Sequence, residues 1–271
     1  MRYSVKLEVA GTLWHITSNR GAWIAWIKKN YRTFCSERPA DFAIVIGVSP
    51  NRRPCLDQTI TKRDSGDSSV LRYCREHFSA AIDFSSRSAL IEADTQTGIV
   101  DIVRFVISTV LINNKGFLMH AASIMRRGQI YVFAGPSASG KTTLCQTMPG
   151  ASVLTDETSA LVRNGCGFRA HSTCFAGEYG QVRCNVSAPV KSIFFIRKGS
   201  RFRHRRLDSC ASCTEMLRNC ILDFHETTLM RRLLATVDAL AGRVPCYELS
   251  VSRGGELWRY IDGFVDEVCA Q

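Results

Sequence analysis

Gly135-Pro136-Ser137-Ala138-Ser139-Gly140-Lys141-Thr142, with Thr143 directly behind it, is the stretch on which the fold turns. It satisfies the pattern G-x-x-x-x-G-K-[ST]. An apolar, strand-like run at residues 130–134 leads into it, and residues 141–148 read as a helix stopped by Pro149-Gly150. Glycines at these places let the backbone turn tightly, so that successive N–H groups converge on phosphate oxygens. The helix N-terminus adds its dipole to the same anion site. Lys141 is then placed to neutralise the β- and γ-phosphates, and the Thr142 hydroxyl to bind Mg²⁺. From average residue frequencies, a chance match in a chain of this length has a probability of about one in a hundred. The segment therefore predicts a site for a nucleoside triphosphate, ATP with Mg²⁺, formed by Gly135, Pro136, Ser137, Ala138, Ser139, Gly140, Lys141, Thr142 and Thr143.

Working outward, residues 117–125 and 130–134 read as two strands joined by the turn Arg126-Arg127-Gly128-Gln129. A periodic apolar stretch, residues 99–112, carries Asp101 and Arg104 and predicts an amphipathic helix stopped at Asn113-Asn114-Lys115-Gly116. Downstream, residues 152–155 form a short strand ending on Asp156-Glu157, and residues 160–163 and 168–171 flank Asn164-Gly165, a hairpin signal. Residues 190–197 predict a strand buried on both faces. Helices follow at 209–224 and 228–240, then a strand at 246–251 and a helix at 256–268. Hairpins between these elements argue for a mixed sheet, an α/β fold with α+β character, over strict βαβ alternation.

The first hundred residues read as a small α+β unit with strands at 3–9, 42–48, 80–84 and 89–92. A helix at 22–31 carries Trp23 and Trp26, expected in the core. The polar stretch 57–69 reads as a loop. The expected division is residues 1–98, an N-terminal region with a role in acceptor recognition, and residues 99–271, a catalytic domain.

Three further features carry chemistry. Asp156-Glu157 lies 15 residues after Lys141 at a strand end. A carboxylate there binds Mg²⁺, directly or through water, or takes a proton from an attacking hydroxyl. His120 lies on the strand before the glycine-rich segment and reads equally as a core histidine or a site residue. Gly177-Glu178 follows the apolar patch Cys174-Phe175-Ala176, and Ala188-Pro189 introduces the buried strand.

Composition bounds the alternatives. With 45% hydrophobic and 22% charged residues, the chain reads as an ordinary globular protein. No apolar run has the length of a membrane span, and the N-terminus lacks the apolar core and cleavage site of a signal peptide, so the expected compartment is the cytoplasm. The 12 cysteines are scattered and expected to be reduced. Cys210 and Cys213 have metal-ligand spacing without a second such pair. A net charge of +11 favours anionic partners, with its densest clusters at Arg197-Lys198, at Arg201, Arg203, His204, Arg205 and Arg206, and at Arg231-Arg232. Basic and aromatic residues do not interleave as in RNA-binding modules, so nucleic acid is not the expected partner.

Taken in order and spacing, His120, the segment 135–142, Asp156-Glu157, Gly177-Glu178 and Ala188-Pro189 resemble the catalytic domain of the HPr kinase/phosphorylase family. The resemblance runs from residue 117 to about 198, and the C-terminal elements look like the smaller HPr-kinase-like proteins, among them kinases of lasso-peptide precursors. It implies the P-loop architecture shared with phosphoenolpyruvate carboxykinase and ATP-dependent phosphoryl transfer to a Ser or Thr hydroxyl, on a peptide or protein acceptor. It further implies Asp156 as the proton acceptor, Glu178 and Glu157 with Thr142 as Mg²⁺ ligands, and His120 beside the acceptor. The chain departs from the family in Glu157, where Asp is common, and in lacking the segment by which HPr kinases hold HPr. HPr is therefore not the expected acceptor. A nucleotide-binding regulatory module and a small-molecule hydroxyl kinase remain open as alternatives, as does homo-oligomerisation.

Overall fold

The computed structural model describes residues 2–48, 59–62, 70–75, 78–93, 96–136, 139–146, 152–175, 177, 185–222, 226–252 and 257–265. The chain divides into two compact units, Met1–Asn114 with Leu222–Met230, and Lys115–Ile221 with Arg231–Gln271.

In the first unit, Ala10 and Gly11 both adopt left-handed backbone (φ 55° and 76°) and fold β1 (Tyr3–Val9) back onto β2 (Thr12–Ser18). Helix α1 (Gly21–Asn30) follows, then β3 (Phe42–Val48), β4 (Thr59–Lys62), β5 (Val70–Arg75), β6 (Phe78–Asp83), β7 (Ser88–Ala93) and helix α2 (Gln96–Asn113). Among the described residues the strands form one sheet in the order β1-β2-β3-β7-β6-β5-β4, with β2–β3 and β3–β7 parallel and the other pairs antiparallel. Alternation along each strand turns Val5, Leu7, Trp14, Ile16, Ile44 and Ile46 into the core. Each such side chain contributes about 1.5–3 kcal/mol when fully buried.

Helix α2 packs on β6 and β7, and its Phe105 stacks on Tyr73 of β5 with centroids 4.0 Å apart. This helix, grouped with the second domain on sequence, therefore covers the first sheet. Two other expectations change. Trp23 and Trp26 stay half-buried, because the inward face of α1 is formed by Ile24 and Ile27. Residues 59–62 of the expected loop form β4, an outermost strand of the sheet among the described residues. The remainder of that expected loop lies outside the described residues.

The second unit is organised by β8 (Gly116–Arg126), which follows the stop at Lys115 (φ 61°). The rest of the unit comprises β9 (Gln129–Ala134), α3 (Lys141–Gln146), β10 (Ser152–Thr155), β11 (Thr158–Asn164), β12 (Gly167–His171), β13 (Ser187–Lys198), β14 (Arg203–Arg206), α4 (Ser209–Asn219), α5 (Thr227–Ala241, which begins within the first unit), β15 (Cys246–Val251) and α6 (Leu257–Val265). The first part of β8 pairs with β11, and the second part with β9 and β10. Arg127 and Gly128, both left-handed (φ 52° and 74°), make the tight turn between β8 and β9. In the second expected hairpin Asn164 pairs with Gly167, so the turn is Gly165-Cys166, one residue later than the Asn-Gly signal.

The sheet order is β10-β8-β11-β12-β13-β15-β14, with β9 joined to both β8 and β13. Strands β9, β13 and β15 run parallel while their neighbours run antiparallel, so the expected mixed sheet is observed. Ile193-Phe194-Phe195-Ile196 on β13 is fully buried, as its apolar run requires. On one face, Phe133, Phe194, Ile196, Tyr247 and Leu249 pack with Leu144 and Cys145 of α3 and Ile261 and Phe264 of α6. Arg126 at the end of β8 ties α6 down: its guanidinium forks onto Asp262, with Nη2 donating to Oδ2 at 2.7 Å, and lies 4.9 Å over the Trp258 ring. That ion pair holds the Asp262 carboxyl below the usual carboxylate range. Among the described residues, no helix is long and apolar enough to cross a membrane.

Candidate functional site

The glycine-rich segment begins where β9 ends. Ala134 is level with Phe195 of β13, and Gly135 lies so close to that strand that a Cβ on it would stand 3.2 Å from the Ile196 carbonyl and 2.9 Å from Ser139 Oγ. A turn bond from Ser139 N to Pro136 O (3.1 Å) brings the chain round, and Gly140 completes it at φ 103°, a conformation that glycine alone adopts readily. Helix α3 then starts at Lys141, and Leu144 N donates to Gly140 O at 2.9 Å. Ser137 and Ala138 lie outside the described residues, as do the side chains of Thr142 and Thr143.

Lys141 is buried, and its Nζ donates to the carbonyls of Gly135 (2.7 Å) and Pro136 (3.0 Å) within its own loop. Burial lowers its pKa below the ordinary lysine range, an effect partly opposed by the charge of Glu157. Beside it, the buried Ser139 Oγ has no hydrogen-bond partner among the described residues. A strand-to-helix turn holding a desolvated cation and an unsatisfied hydroxyl is chemically suited to an anion rich in acceptor oxygens.

The acid pair sits at the β10–β11 junction. Thr155 closes it: its Oγ1 accepts from Glu157 N (3.3 Å) and Thr158 N (3.2 Å), a hydroxyl-capped turn at the strand end that carries both acids. Asp156 is buried, Glu157 half-buried. From a distant loop, Gly177 N donates to Asp156 Oδ1 at 3.0 Å. A Cβ on Gly177 would stand 2.8 Å from Asp156 Oδ2 and 3.0 Å from Glu157 Cβ, so only glycine allows this approach. Glu178, the next residue in sequence, lies outside the described residues.

His120, half-buried on β8, is the register partner of Thr158, and Ala121 N donates to Glu157 O at 2.9 Å. β8 therefore brings His120 to the border of the acid pair. The acids and the glycine-rich turn also meet electrostatically. Glu157 acts on Lys141, and Asp156 helps burial push the Cys145 thiol of α3 up to about 12. That thiol is consequently neutral and inert at ordinary pH. His120, Lys141, Asp156, Glu157 and Gly177, scattered through the sequence, thus form one neighbourhood. Thr155 was not among the sequence candidates, although its Thr-x-x spacing to the N–H groups it caps is a readable signal.

Among the described residues no group of three or more His, Cys, Asp or Glu side chains is arranged to hold a metal ion, so Cys210 and Cys213 do not assemble one with described neighbours. A cavity of about 400 Å³ lies in the first unit, lined among others by Thr12, Asp41, Arg87 and Asn113, and takes in none of the candidate site residues.

Fold and site together define an α+β protein whose second sheet carries a glycine-rich strand-to-helix turn beside a buried acid pair. The chain belongs to the SynChlorMet cassette protein ScmC family, which matches residues 91–266, more than half of the chain and the whole span from His120 to Glu178. No curated protein matches it significantly.

Proposed function

We propose that the chain is an ATP-dependent kinase of the HPr-kinase-like type, its second unit a P-loop domain that transfers the γ-phosphoryl group to a Ser- or Thr-type hydroxyl on a peptide. The observation that carries this reading is Lys141. It is a buried cation at the start of α3, held by two carbonyls of its own loop, near a hydroxyl with no partner among the described residues, and acted on by the charge of the half-buried Glu157. Polyphosphate entering the turn offers Lys141 charged acceptors in place of neutral ones, which offsets the desolvation that lowers its pKa.

In the proposed reaction, the acceptor oxygen forms a bond to the γ-phosphorus as the bond from that phosphorus to the β,γ-bridging oxygen breaks. The hydroxyl proton passes to Asp156, whose other carboxylate oxygen is steadied by Gly177 N. Catalysis is then mainly positioning and charge neutralisation, with Lys141 and the loop amides compensating the phosphate charge. Mg²⁺ would be held by Thr142, Glu157 and Glu178 and would supply further charge neutralisation; of these three side chains only that of Glu157 is among the described ones. A reducing, cytoplasmic setting suits the thiols of Cys145, Cys220 and Cys246, each pushed up to about 12 by burial.

The test is equilibrium binding of Mg-ATP, followed by mass spectrometry of candidate peptides and small-molecule alcohols incubated with protein and Mg-ATP. The expected results are saturable binding, a phosphorylated hydroxyl on a peptide, and loss of about a hundredfold or more in turnover in Lys141→Ala. Absence of ATP binding would overturn the whole reading. Tight binding with no acceptor turned over would instead mark a nucleotide-responsive regulatory module, and turnover of alcohols alone a small-molecule kinase.

A further inference from the structure

The basic cluster at residues 197–206 is one of the densest in the sequence. In the structure, part of it is a strand. β14 pairs antiparallel with β15 through Arg203↔Ser250, His204↔Leu249, Arg205↔Glu248 and Arg206↔Tyr247, and all four of its residues are exposed. It is the last strand of its sheet, so its outer backbone edge carries no strand among the described residues.

Three observations bear on what that edge is for. The first is charge. Arg197, Lys198, Arg201, Arg203, Arg205 and Arg206 crowd around the edge, while the carboxylates that pair there are Glu215, on Arg197 at 2.9 Å, and Glu248, on Arg197 at 3.5 Å and Arg205 at 3.6 Å. Among the described residues Arg201, Arg203 and Arg206 have no carboxylate partner. One or two charges are enough to discourage edge-to-edge aggregation, and this cluster exceeds that need.

The second is the pleat. His204 stacks flat on Phe264 of α6 (3.6 Å between centroids) and accepts or donates at Tyr260 Oη (2.9 Å), so it faces α6. Arg203 and Arg205 therefore project together to the other face, beside Glu248. An extended chain added to the edge would meet a cation at every second residue on that face.

The third is position. β9, β13 and β15 are parallel, and the glycine-rich segment leaves β9 at the end where β13 ends in Lys198 and β15 in Val251. Arg203 pairs with Ser250 at that same end. Three strand spacings separate β9 from β14, about 14 Å, which a few extended residues span.

We infer that the β14 edge docks an acidic, extended peptide segment by strand addition, with the acids in alternate positions on Arg203 and Arg205, and that this segment flanks the hydroxyl to be phosphorylated. The inference rests on the kinase reading for its second half only; docking is measured without turnover. Backbone pairing selects an extended polypeptide over a nucleic acid, whose phosphates offer charge but no ladder of amides.

The experiment is fluorescence anisotropy of the full chain with a labelled peptide of alternating glutamate and threonine. Two competitors are a version N-methylated at alternate residues and a single-stranded oligonucleotide of equal charge. Expected are saturable binding that weakens with salt, about tenfold weaker binding of the N-methylated peptide, and about tenfold loss in Arg203→Glu/Arg205→Glu with Mg-ATP affinity unchanged. Arg203→Gln/Arg205→Gln serves as a milder pair should charge reversal disturb folding, and is expected to lose about threefold. Equal binding of the N-methylated peptide would overturn strand addition, and equal or tighter binding of the oligonucleotide would overturn the acidic-peptide assignment. Loss of Mg-ATP binding in wild type would sink the kinase reading while leaving docking to stand or fall on the anisotropy alone.

Discussion

The two units are built from similar parts and treat polar groups oppositely. Each is a mixed sheet with helices packed on it. In the first unit the buried polar side chains among the described residues are Ser18, Ser108 and Thr109, none of them charged. The second unit buries Lys141 and Asp156, together with a run of hydroxyls that includes Ser139, Thr155, Thr158, Ser159, Ser172 and Thr173. Burying an ionisable group costs several kcal/mol unless partners compensate it, and leaving a buried hydroxyl unsatisfied costs about 1–3 kcal/mol. A fold that only had to be stable would follow the first unit. The second retains groups that an arriving anion would compensate, and that contrast supports the proposed nucleotide site.

The strongest way to break the contrast is to remove charge without volume. Asp156→Asn keeps the bond from Gly177 N through its amide oxygen and loses the proton acceptor. On the proposed mechanism, kcat/KM falls about a hundred- to ten-thousandfold while Mg-ATP affinity stays within a few-fold. The measurement is steady-state phosphorylation of a real acceptor alongside equilibrium nucleotide binding. Near-wild-type turnover would remove Asp156 from the chemistry and leave the buried acid unexplained.

The next test is pH. The folded-state pKa of Lys141 lies below its unfolded value because burial disfavours the charged form. On the proposed reading polyphosphate binds the protonated amine, so Mg-ATP affinity should fall as pH rises through that depressed value, at about tenfold per pH unit for one linked proton. Lys141→Arg, which stays protonated, should lose this slope. The unliganded protein should show the reverse trend: between the depressed and the ordinary lysine value the unfolded chain binds the extra proton, so this site's contribution to stability rises with pH. Calorimetric binding and urea unfolding over the alkaline range check both signs.

What was legible in the sequence follows from how local each signal is. The glycine-rich strand-to-helix turn could be read because its pattern is contiguous, and strands such as β9 and β13 because a long apolar run has few other uses. The long helix α2 was legible from its period, but its allegiance was not: Phe105 meets Tyr73 across a gap in sequence that no periodicity reveals. β2 was missed because its turn is Ala10-Gly11, where the left-handed alanine carries no turn signature. β14 was missed because Arg-His-Arg-Arg looks like solvated loop, and only pairing with β15 makes it a strand. In the site, His120 stayed ambiguous on spacing alone. The contact between Gly177 and Asp156 depends on two loops meeting, for which the chain gives no local hint.

The smallest predicted effects set one buried threonine against another. Thr109 of α2 donates from Oγ1 to Phe105 O at 2.8 Å, an oxygen that already accepts a helical backbone bond. Thr109→Val is nearly isosteric and strands no partner, so it should cost less than about 1 kcal/mol. Thr155 accepts from two backbone N–H groups of the acid turn, and Thr155→Val leaves both without that acceptor. It should cost about 1–3 kcal/mol by urea unfolding, and it should also lower turnover because the acid pair loses its fixed geometry. Thr155→Ser, which keeps the oxygen, should restore most of both. If Thr109→Val and Thr155→Val proved equally mild, the second unit's hydroxyls would be ordinary packing, and the difference between the units would rest on Lys141 and Asp156 alone.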